Sequence, residues 1–485
     1  MQNARFVGID IGTTSVKAAV LDETGKVVSR FSQSYPTHRL PGGFVEQDPK
    51  DWVRLVGQAL AEMDLDGVRA VGLTSQVNTH VVTDPEGSAL MPAIVWQDGR
   101  AQSVAVELDA RVTLEEKLKW WGAPMPIDAS HACSRMAWVA QNKPDLWNQT
   151  RWVLLPKDYV AFHMTGCPAT DAVSSIGLVD QNLKYVPEML DLVHGASGRL
   201  APLHGVMQPV GRIKEGPLKG IPLICGTMDA WAGLVGTGGA QDCTSMYLSG
   251  TSEIMGISSQ TVVPTPGAIV FPDYDGIRLH AAPTQSGGDA KMWFAQSHGL
   301  TLDTMTALVA NTPPNSATPL FLPQLQGERA PLWDADLRAA FLGVSRETGQ
   351  GDFARAVYEG VAMAARMGLE TLQSSANLKS DVIYCGGGGF RSAPWNQIRA
   401  NVLGVELNVL ASGEPGVLGA AMMAAVGAGH FPHINEAFGA LASYDRTFAP
   451  DPNQRRRYDD IYGLYCDAIR QTGDLGKRLM RLNTR

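Results

Sequence analysis

Residues 6–28, FVGIDIGTTSVKAAVLDETGKVV, cluster apolar positions around two polar turns, Gly12-Thr13-Thr14 and Asp22-Glu23-Thr24-Gly25. That pattern predicts strand, turn, strand, turn, strand. Residues 51–63 carry helical spacing, 68–74 read as a mostly buried strand, and 79–84 as another strand ending at Pro85-Glu86-Gly87. Residues 101–142 are mostly helical in pattern, and 152–164 continue in the same way. A short buried strand around 221–226 then leads into DAWAGLVGTGG, a helix closed by glycines.

At SMYLSGTSEIMGIS the opening plan returns: an apolar strand, a Gly-Thr-Ser turn, then a second apolar strand. Two such hairpins, each opening half of the chain, predict two domains built on one plan, residues 1–242 and 243–485, with the boundary near residues 240–243. The second half adds a long amphipathic stretch at 352–373 and DVIYCGGGGF, a strand ending in four glycines. After these come VLGAAMMAAVGAG, a small-residue helix suited to close packing, and a polar, helical tail from 453 to 485. The fold class is α/β.

Composition narrows the function. A chain of 485 residues exceeds what one core can organise, and 45% hydrophobic with 18% charged residues is a globular composition. Formal charge is -8, from 40 basic against 48 acidic residues, with no basic block, so neither nucleic acid nor an anionic membrane surface is expected as a partner. Any anionic ligand must be held by local donors. The longest apolar run, near 417–428, is too short to span a bilayer, and the N-terminus enters a strand at once. Six scattered cysteines without a C-x-x-C pair read as reduced thiols. Together these features predict a cytoplasmic protein.

The turns carry the chemistry. A Gly-Thr-Thr-Ser turn offers open backbone N–H groups and hydroxyls, an arrangement that cradles phosphate. Asp10 beside it would repel phosphate unless a cation lies between them, and Mg²⁺ resolves that conflict. The competing reading is a hairpin with polar turn residues. A second such turn, Ser249-Gly250-Thr251-Ser252, could clamp the same phosphates. The glycines after the 382 strand either admit a bulky ligand or make a tight strand-to-helix turn.

With the order of these elements, the motifs Asp10-Ile-Gly-Thr-Thr-Ser-Val-Lys17, Gly250-Thr251-Ser252 and Gly387-Gly388-Gly389 resemble the FGGY carbohydrate kinases. FVEQDP at 44–49, WQDGR at 96–100, LLPKDY at 154–159, GERAP at 327–331 and AAFLGVSRETGQGDFARAVYE at 339–359 agree, so the likeness spans the chain and looks strongest toward the xylulose kinases. The resemblance implies two actin-like, ribonuclease-H-like domains flanking a catalytic cleft that takes ATP, Mg²⁺ and a small sugar. It implies Asp10 as the metal residue. Thr13, Thr14, Gly250 and Thr251 would lie at the phosphates, with Gly288, Gly387, Gly388 and Gly389 at the nucleotide. It also implies Asp229, in CGTMDAWAGLVG, as the carboxylate that accepts a proton from the sugar hydroxyl. A helix N-cap is the structural alternative for that aspartate. His80, His131, Trp120, Trp121 and the pair Glu328-Arg329 read as structural, and Lys157-Asp158 as either cleft-facing or packed.

Substrate selection in this family falls on the segment holding Gln76, Val77 and Asn78. Here Val77-Asn78 replaces the Met-His usual in xylulose kinases, and Ala230 follows the catalytic aspartate where Asn or Gln is usual. Each lost polar contact shifts discrimination by about 1–3 kcal/mol. The expected acceptor is a ketopentose such as D-xylulose. Ribulose, a deoxy sugar, erythritol or glycerol are the alternatives, and a non-catalytic sugar or nucleotide sensor or a sugar-independent ATPase are further ones. The oligomeric state stays open, a homodimer among the options.

Overall fold

In the computed structural model, which describes residues 4–238, 241 and 243–483, the chain divides into two compact units. The first is Met1–Ala240, Phe271–Arg278 and Pro415–Ala442; the second is Gln241–Val270, Leu279–Glu414 and Ser443–Arg485. Of the boundary expected near 240–243, residues 240 and 242 lie outside the described residues. The division is also not one cut: segments 271–278 and 415–442, expected in the second domain, pack with the first unit.

The first unit is built on a six-stranded sheet: β1 (Arg5–Ile11), β2 (Ser15–Asp22), β3 (Val27–Ser34), β4 (Val68–Ser75), β5 (Pro209–Arg212) and β6 (Pro222–Met228), in the order β5-β6-β4-β1-β2-β3. The central strands β6, β4 and β1 run parallel, flanked by antiparallel neighbours. Parallel strands need both faces covered. Val7, Ile9 and Ile11 point into a core filled by Trp52, Leu55, Val56 and Ala59 of the helix Pro49–Glu62. Asp48 starts that helix by accepting the Lys50 N–H, with Pro49 in the first turn.

The other face takes the helix Pro415–Gly427, and glycines set its distance. A Cβ on Gly8 of β1 would lie 2.0 Å from the Val417 carbonyl oxygen, and one on Gly72 of β4 would lie 2.0 Å from that of Ala420. Side chains longer than a hydrogen would force the helix outward. This explains why 415–442 joins the first unit: its small, apolar surface fits only against a sheet lined with glycine.

Residues 152–164 depart from the helical expectation. Trp152–Leu154 is a strand paired antiparallel with Val81–Thr83, and the helix Pro156–Thr165 begins only after it. Pro156 disfavours helical backbone at Leu155, so the short apolar run before it becomes a strand.

The second unit repeats the plan. Its strands are β7 (Ser245–Ser249), β8 (Glu253–Ser258), β9 (Ile269–Val270), β10 (Leu279–Pro283), β11 (Val382–Gly386), β12 (Glu406–Leu410) and β13 (Tyr444–Phe448), ordered β9-β10-β8-β7-β11-β12-β13. Here β7, β11 and β12 are the parallel core and β13 the antiparallel edge. The long helix Gln350–Ala376 supplies core side chains, and Tyr458 and Tyr465 of the tail helix Pro452–Asn483 are buried beside them. No helix among the described residues is long and apolar enough to cross a membrane, and all six cysteines are free.

A buried ion pair braces this unit. Arg399, on the helix Ala393–Leu403, lies 2.5 Å from Glu253 at the start of β8, and both are fully enclosed. The Ser249 hydroxyl donates to Glu253 (2.7 Å) and Tyr247 donates to its other oxygen, while Arg399 also donates to the Gly389 carbonyl (3.2 Å). Burial pushes the Glu253 carboxyl up to about 7 against the opposing pull of Arg399.

Two outcomes follow from these contacts. Gly72→Ala should destabilise the first unit by about 1–3 kcal/mol, since backbone rather than a side-chain tip must yield. The check is the midpoint of the unfolding transition that includes this unit, and an unchanged midpoint would mean the helix moves freely. For Glu253, the folded state holds its proton to higher pH than the unfolded chain does. Its contribution to stability is therefore fully present below about 4.5 and lost as pH rises to about 7. Denaturant unfolding at pH 5 and 7.5 should show wild type losing stability relative to Glu253→Gln, and equal pH slopes would contradict the assignment.

Candidate active site

Three parallel strands of the first unit end at one level. Across β1, β4 and β6, Ile11 pairs with Ser75 and Ser75 with Met228. Asp10 sits one residue before that level on β1, Gln76 one after it on β4, and Asp229 one after it on β6. Ligands of open α/β sheets bind outside these carboxyl ends. Asp10 shares a face with Gly8, the face covered by the helix Pro415–Gly427, and a Cβ on Gly416 would lie 3.0 Å from its Oδ2. A side chain at 416 would press on that carboxylate.

Asp229 is not the N-cap. Met228 holds that position in extended backbone, and Asp229 is the first residue of the helix Asp229–Thr237, its Oδ1 accepting the Ala230 N–H at 2.8 Å. The carboxylate is half-buried at a helix N-terminus, where unpaired N–H groups favour negative charge. Just upstream, β6 slips by one residue against β4 between Ile224 and Thr227, with Gly226 at φ +64°. Such bulges commonly re-aim a side chain beside a site.

The turn at residues 12–14 is held by a polar network. Gln47 donates to the Thr13 carbonyl (2.7 Å), Trp96 Nε1 donates to the Thr13 hydroxyl (2.9 Å), and Tyr35 donates to the Gly12 carbonyl. Gln76 donates to Gln47 (2.9 Å) and accepts from Thr79 (3.1 Å), whose hydroxyl in turn accepts the Trp96 N–H (3.1 Å). Gln76 is thus a buried link between the turn and the 76–79 segment, whereas Val77 and Asn78 stay partly open and Thr14 is exposed. Asn78 adopts φ +55°, which Asn tolerates better than most residues, and donates to Ser130 (3.2 Å). Gln47, Trp96 and Tyr35 went unassigned from sequence, although Gln47 and Trp96 lie inside FVEQDP and WQDGR.

In the second unit the turn at 250–252 closes by Gly250 N–H donating to Ser252 O (2.9 Å). The N–H groups of Gly288 and Asp289 donate to the carbonyls of Gly250 and Thr251, both at 3.1 Å. The glycines differ in their reasons. A Cβ on Gly388 would meet nothing within 4 Å, and one on Gly250 only Ser252 O at 3.9 Å, so these two present open backbone. Gly387, at φ +100°, and Gly389 would both strike Ser249, and Gly288 would strike Gly250 O at 2.4 Å. These three are glycines because the 387–389 loop and the loop at 288 both lie against the turn that begins at Ser249.

The remaining candidates are structural. His131 caps the helix Ala132–Asn142 by accepting the Cys133 N–H, and burial lowers His131 to about 4 and His80 to about 3. Trp120 and Trp121 are buried. Arg135, buried, donates to the carbonyls of Val95, Trp96, Asp98 and Ala129, tying WQDGR to its helix. Glu328 accepts from the Gln285 and Arg329 N–H groups and the Ser286 hydroxyl, anchoring the loop before Gly288. Lys157 and Asp158 are fully enclosed.

The donor sets fit a nucleotide with a metal. Mg²⁺ takes one or two carboxylates and completes its shell with water and phosphate oxygens. Asp10 beside a hydroxyl-bearing turn matches that demand, and no group of three or more His, Cys, Asp or Glu that could hold a metal occurs among the described residues. Open backbone at Gly250 and Gly388 suits close approach of a nucleotide.

Comparison with known proteins agrees with this geometry. Residues 5–236 match the N-terminal domain of the FGGY family of carbohydrate kinases, and residues 246–428 match its C-terminal domain. The chain is 25% identical to a xylulose kinase of Lactococcus lactis, covering 98% of this chain and 99% of that protein. It is 28% identical to the xylulose kinase of Escherichia coli, covering 93% and 96%. Among solved structures, a gluconate kinase from Lactobacillus acidophilus superposes with TM-score 0.88 at 24% identity, covering 97% of this chain and 99% of that one. A xylulose kinase from Brucella ovis gives 0.86 at 25%, covering 97% and 100%. The chain belongs to the FGGY family of carbohydrate kinases, an ATP-dependent phosphotransferase with an alcohol group as acceptor and the family's two-domain, actin-like, ribonuclease-H-like fold.

Proposed function

We propose that the acceptor is a ketopentose, D-xylulose first, and that Asp229 is the general base for its phosphorylation. The observation that carries this is the placement of Asp229: a half-buried carboxylate lifted by a strand bulge to the level where Gln76 leaves the neighbouring strand. A sugar hydroxyl is a weak nucleophile, and a carboxylate within hydrogen-bond reach orients it and takes its proton as the new P–O bond forms. Ala230, which follows that carboxylate in the chain, sets which hydroxyls are recognised together with Val77 and Asn78, which follow Gln76. Gln76, already bonded to Gln47 and Thr79, fixes the segment that carries them.

Asp10 is the residue to hold Mg²⁺, which when bound supplies positive charge against the phosphate oxygens. Thr13 and Thr14 offer N–H and hydroxyl donors to phosphate in the first unit, and Gly250 and Thr251 do so in the second. Gly388 provides the open surface for adenosine, while Gly387, Gly389 and Gly288 hold that surface in shape. Free thiols throughout suit a cytoplasmic enzyme.

The xylulose assignment draws support from full-length relatives named xylulose kinase at 25% and 28% identity. One observation favours a second acceptor, a deoxy sugar or small polyol: Ala230, next to the base, is apolar and buried. A site poorer in polar groups gains less from each additional hydroxyl.

Coupled ADP release against a panel of ketoses, aldoses and polyols tests the reading. Turnover should be strongly stimulated by D-xylulose or another ketopentose. Activity on a tetritol or hexose with none on any ketopentose would overturn the acceptor, and ATP turnover indifferent to every sugar would overturn the use of the site. Asp229→Asn should keep the fold and ATP binding while losing several orders of magnitude in kcat, and near-wild-type turnover would remove Asp229 from the mechanism.

A further inference from the structure

Behind the proposed base lies a buried charge cluster on the residues Lys157, Asp158 and Asp171. Lys157, on the helix Pro156–Thr165, places its ammonium 2.6 Å from Asp158 and 2.8 Å from Asp171, and side-chain exposure across the three is 3% or less. Burial opposes the Lys157 charge, yet the two carboxylates hold its ammonium well above the ordinary lysine range. Such a cluster is a costly way to fill a core, because desolvation usually consumes the attraction it regains. Its value has to lie in where it fixes the backbone.

Its contacts run to the two strand ends of the site. Asp171 Oδ1 accepts the Thr227 hydroxyl (3.0 Å) and the Ser174 N–H (2.8 Å), and the Ser174 and Thr227 hydroxyls bond each other at 3.3 Å. Thr227 is the first residue beyond the bulge in β6, two before Asp229. On the neighbouring strand, the Lys157 N–H donates to the Ser75 hydroxyl (3.2 Å), and that hydroxyl donates to the Gln76 carbonyl (3.1 Å). One cluster therefore grips the residue before Gln76 and the residue two before Asp229. A bulged strand end needs such a grip, since the bulge breaks the ladder that would otherwise hold it level. Gly226 adds the steric half: a Cβ there would lie 1.6 Å from Leu73 O, so the bulge is seated directly on β4.

We infer that Asp171, through Thr227 and Lys157, is a positioning residue for the phosphoryl-transfer step, setting the height of Asp229 relative to the acceptor segment that begins at Gln76. Asp171 touches no reacting atom in this account; it acts through the backbone of β6. The inference rests on Asp229 being the base.

The test is a double-mutant cycle of Asp171→Asn and Asp229→Asn. Asn at 171 keeps the shape and an acceptor for Thr227 but removes one of the two charges that hold Lys157. Asp171→Asn should lower kcat by roughly 10–100-fold, the order expected when a reacting group shifts by a fraction of an ångström to an ångström, with KM for ATP unchanged. Added to Asp229→Asn, it should cost nothing further, since the group it positions is already gone. Should Asp171→Asn not accumulate as folded protein, Thr227→Val instead cuts the cluster from β6, isosterically, and should give the same pattern. A thermal midpoint lowered with kcat unchanged would overturn the inference and leave the cluster as core packing. So would an Asp171→Asn penalty that persists in full on the Asp229→Asn background. Near-wild-type activity of Asp229→Asn alone would instead overturn the base assignment, so the two failures are distinguishable.

Discussion

The distance between the helix Pro415–Gly427 and the sheet beneath it is the constraint on which the first unit depends. Gly8 and Gly72 on the sheet remove the Cβ atoms that would separate the two backbones, and Gly419 does the same where this helix meets Ala232 of the helix Asp229–Thr237. Close packing of this kind gains dispersion contacts over the whole face and leaves little room for sliding. It also brings Gly416, 406 positions along the chain, against the Asp10 carboxylate, where a larger residue would place a side chain. Asp10 therefore meets a glycine, not a side chain, where this helix crosses its carboxylate.

Polar connections carry that fixed geometry to the site. In the first unit, a chain of amides, hydroxyls and an indole runs from Gly12 through Thr13, Gln47 and Gln76 to Thr79 and Trp96. In the second, Glu253 and Arg399 tie the 250–252 turn to the glycine loop through Ser249 and the Gly389 carbonyl. Both are extended polar networks, which rigidify what they connect because breaking one member strands its partners. The same hairpin-and-crossover plan occurs in both units, yet each holds its turn differently: by neutral amides in one, by an ion pair in the other.

Much of this was legible in the sequence. The opening hairpin, the repeat at 245–258, the strand ending at Asp229 and the glycine loop after Cys385 all announce themselves by period and turn chemistry, and they fall where expected. Two things were not. Helix Pro415–Gly427 reads as belonging to the half of the chain in which it occurs, because a uniformly small, apolar helix carries no mark of which sheet it will meet. The strand Trp152–Leu154 was hidden because a short apolar run before a proline has no period of its own. At the site, the residues that point outward were visible as motifs. Those that hold them, Gln47, Trp96, Ser249 and Arg399, depend on contacts between residues as far as 150 positions apart, which spacing along the chain does not record.

The central claim is that the carboxyl ends of β1, β4 and β6 receive the sugar with its reacting hydroxyl at Asp229. The most direct measurement is a crystal structure of the protein with D-xylulose bound. One sugar hydroxyl should lie within hydrogen-bond reach of the Asp229 carboxylate, about 2.6–3.2 Å, with the ring or chain against Val77 and Asn78. A sugar bound with all of its hydroxyls remote from Asp229 would contradict it.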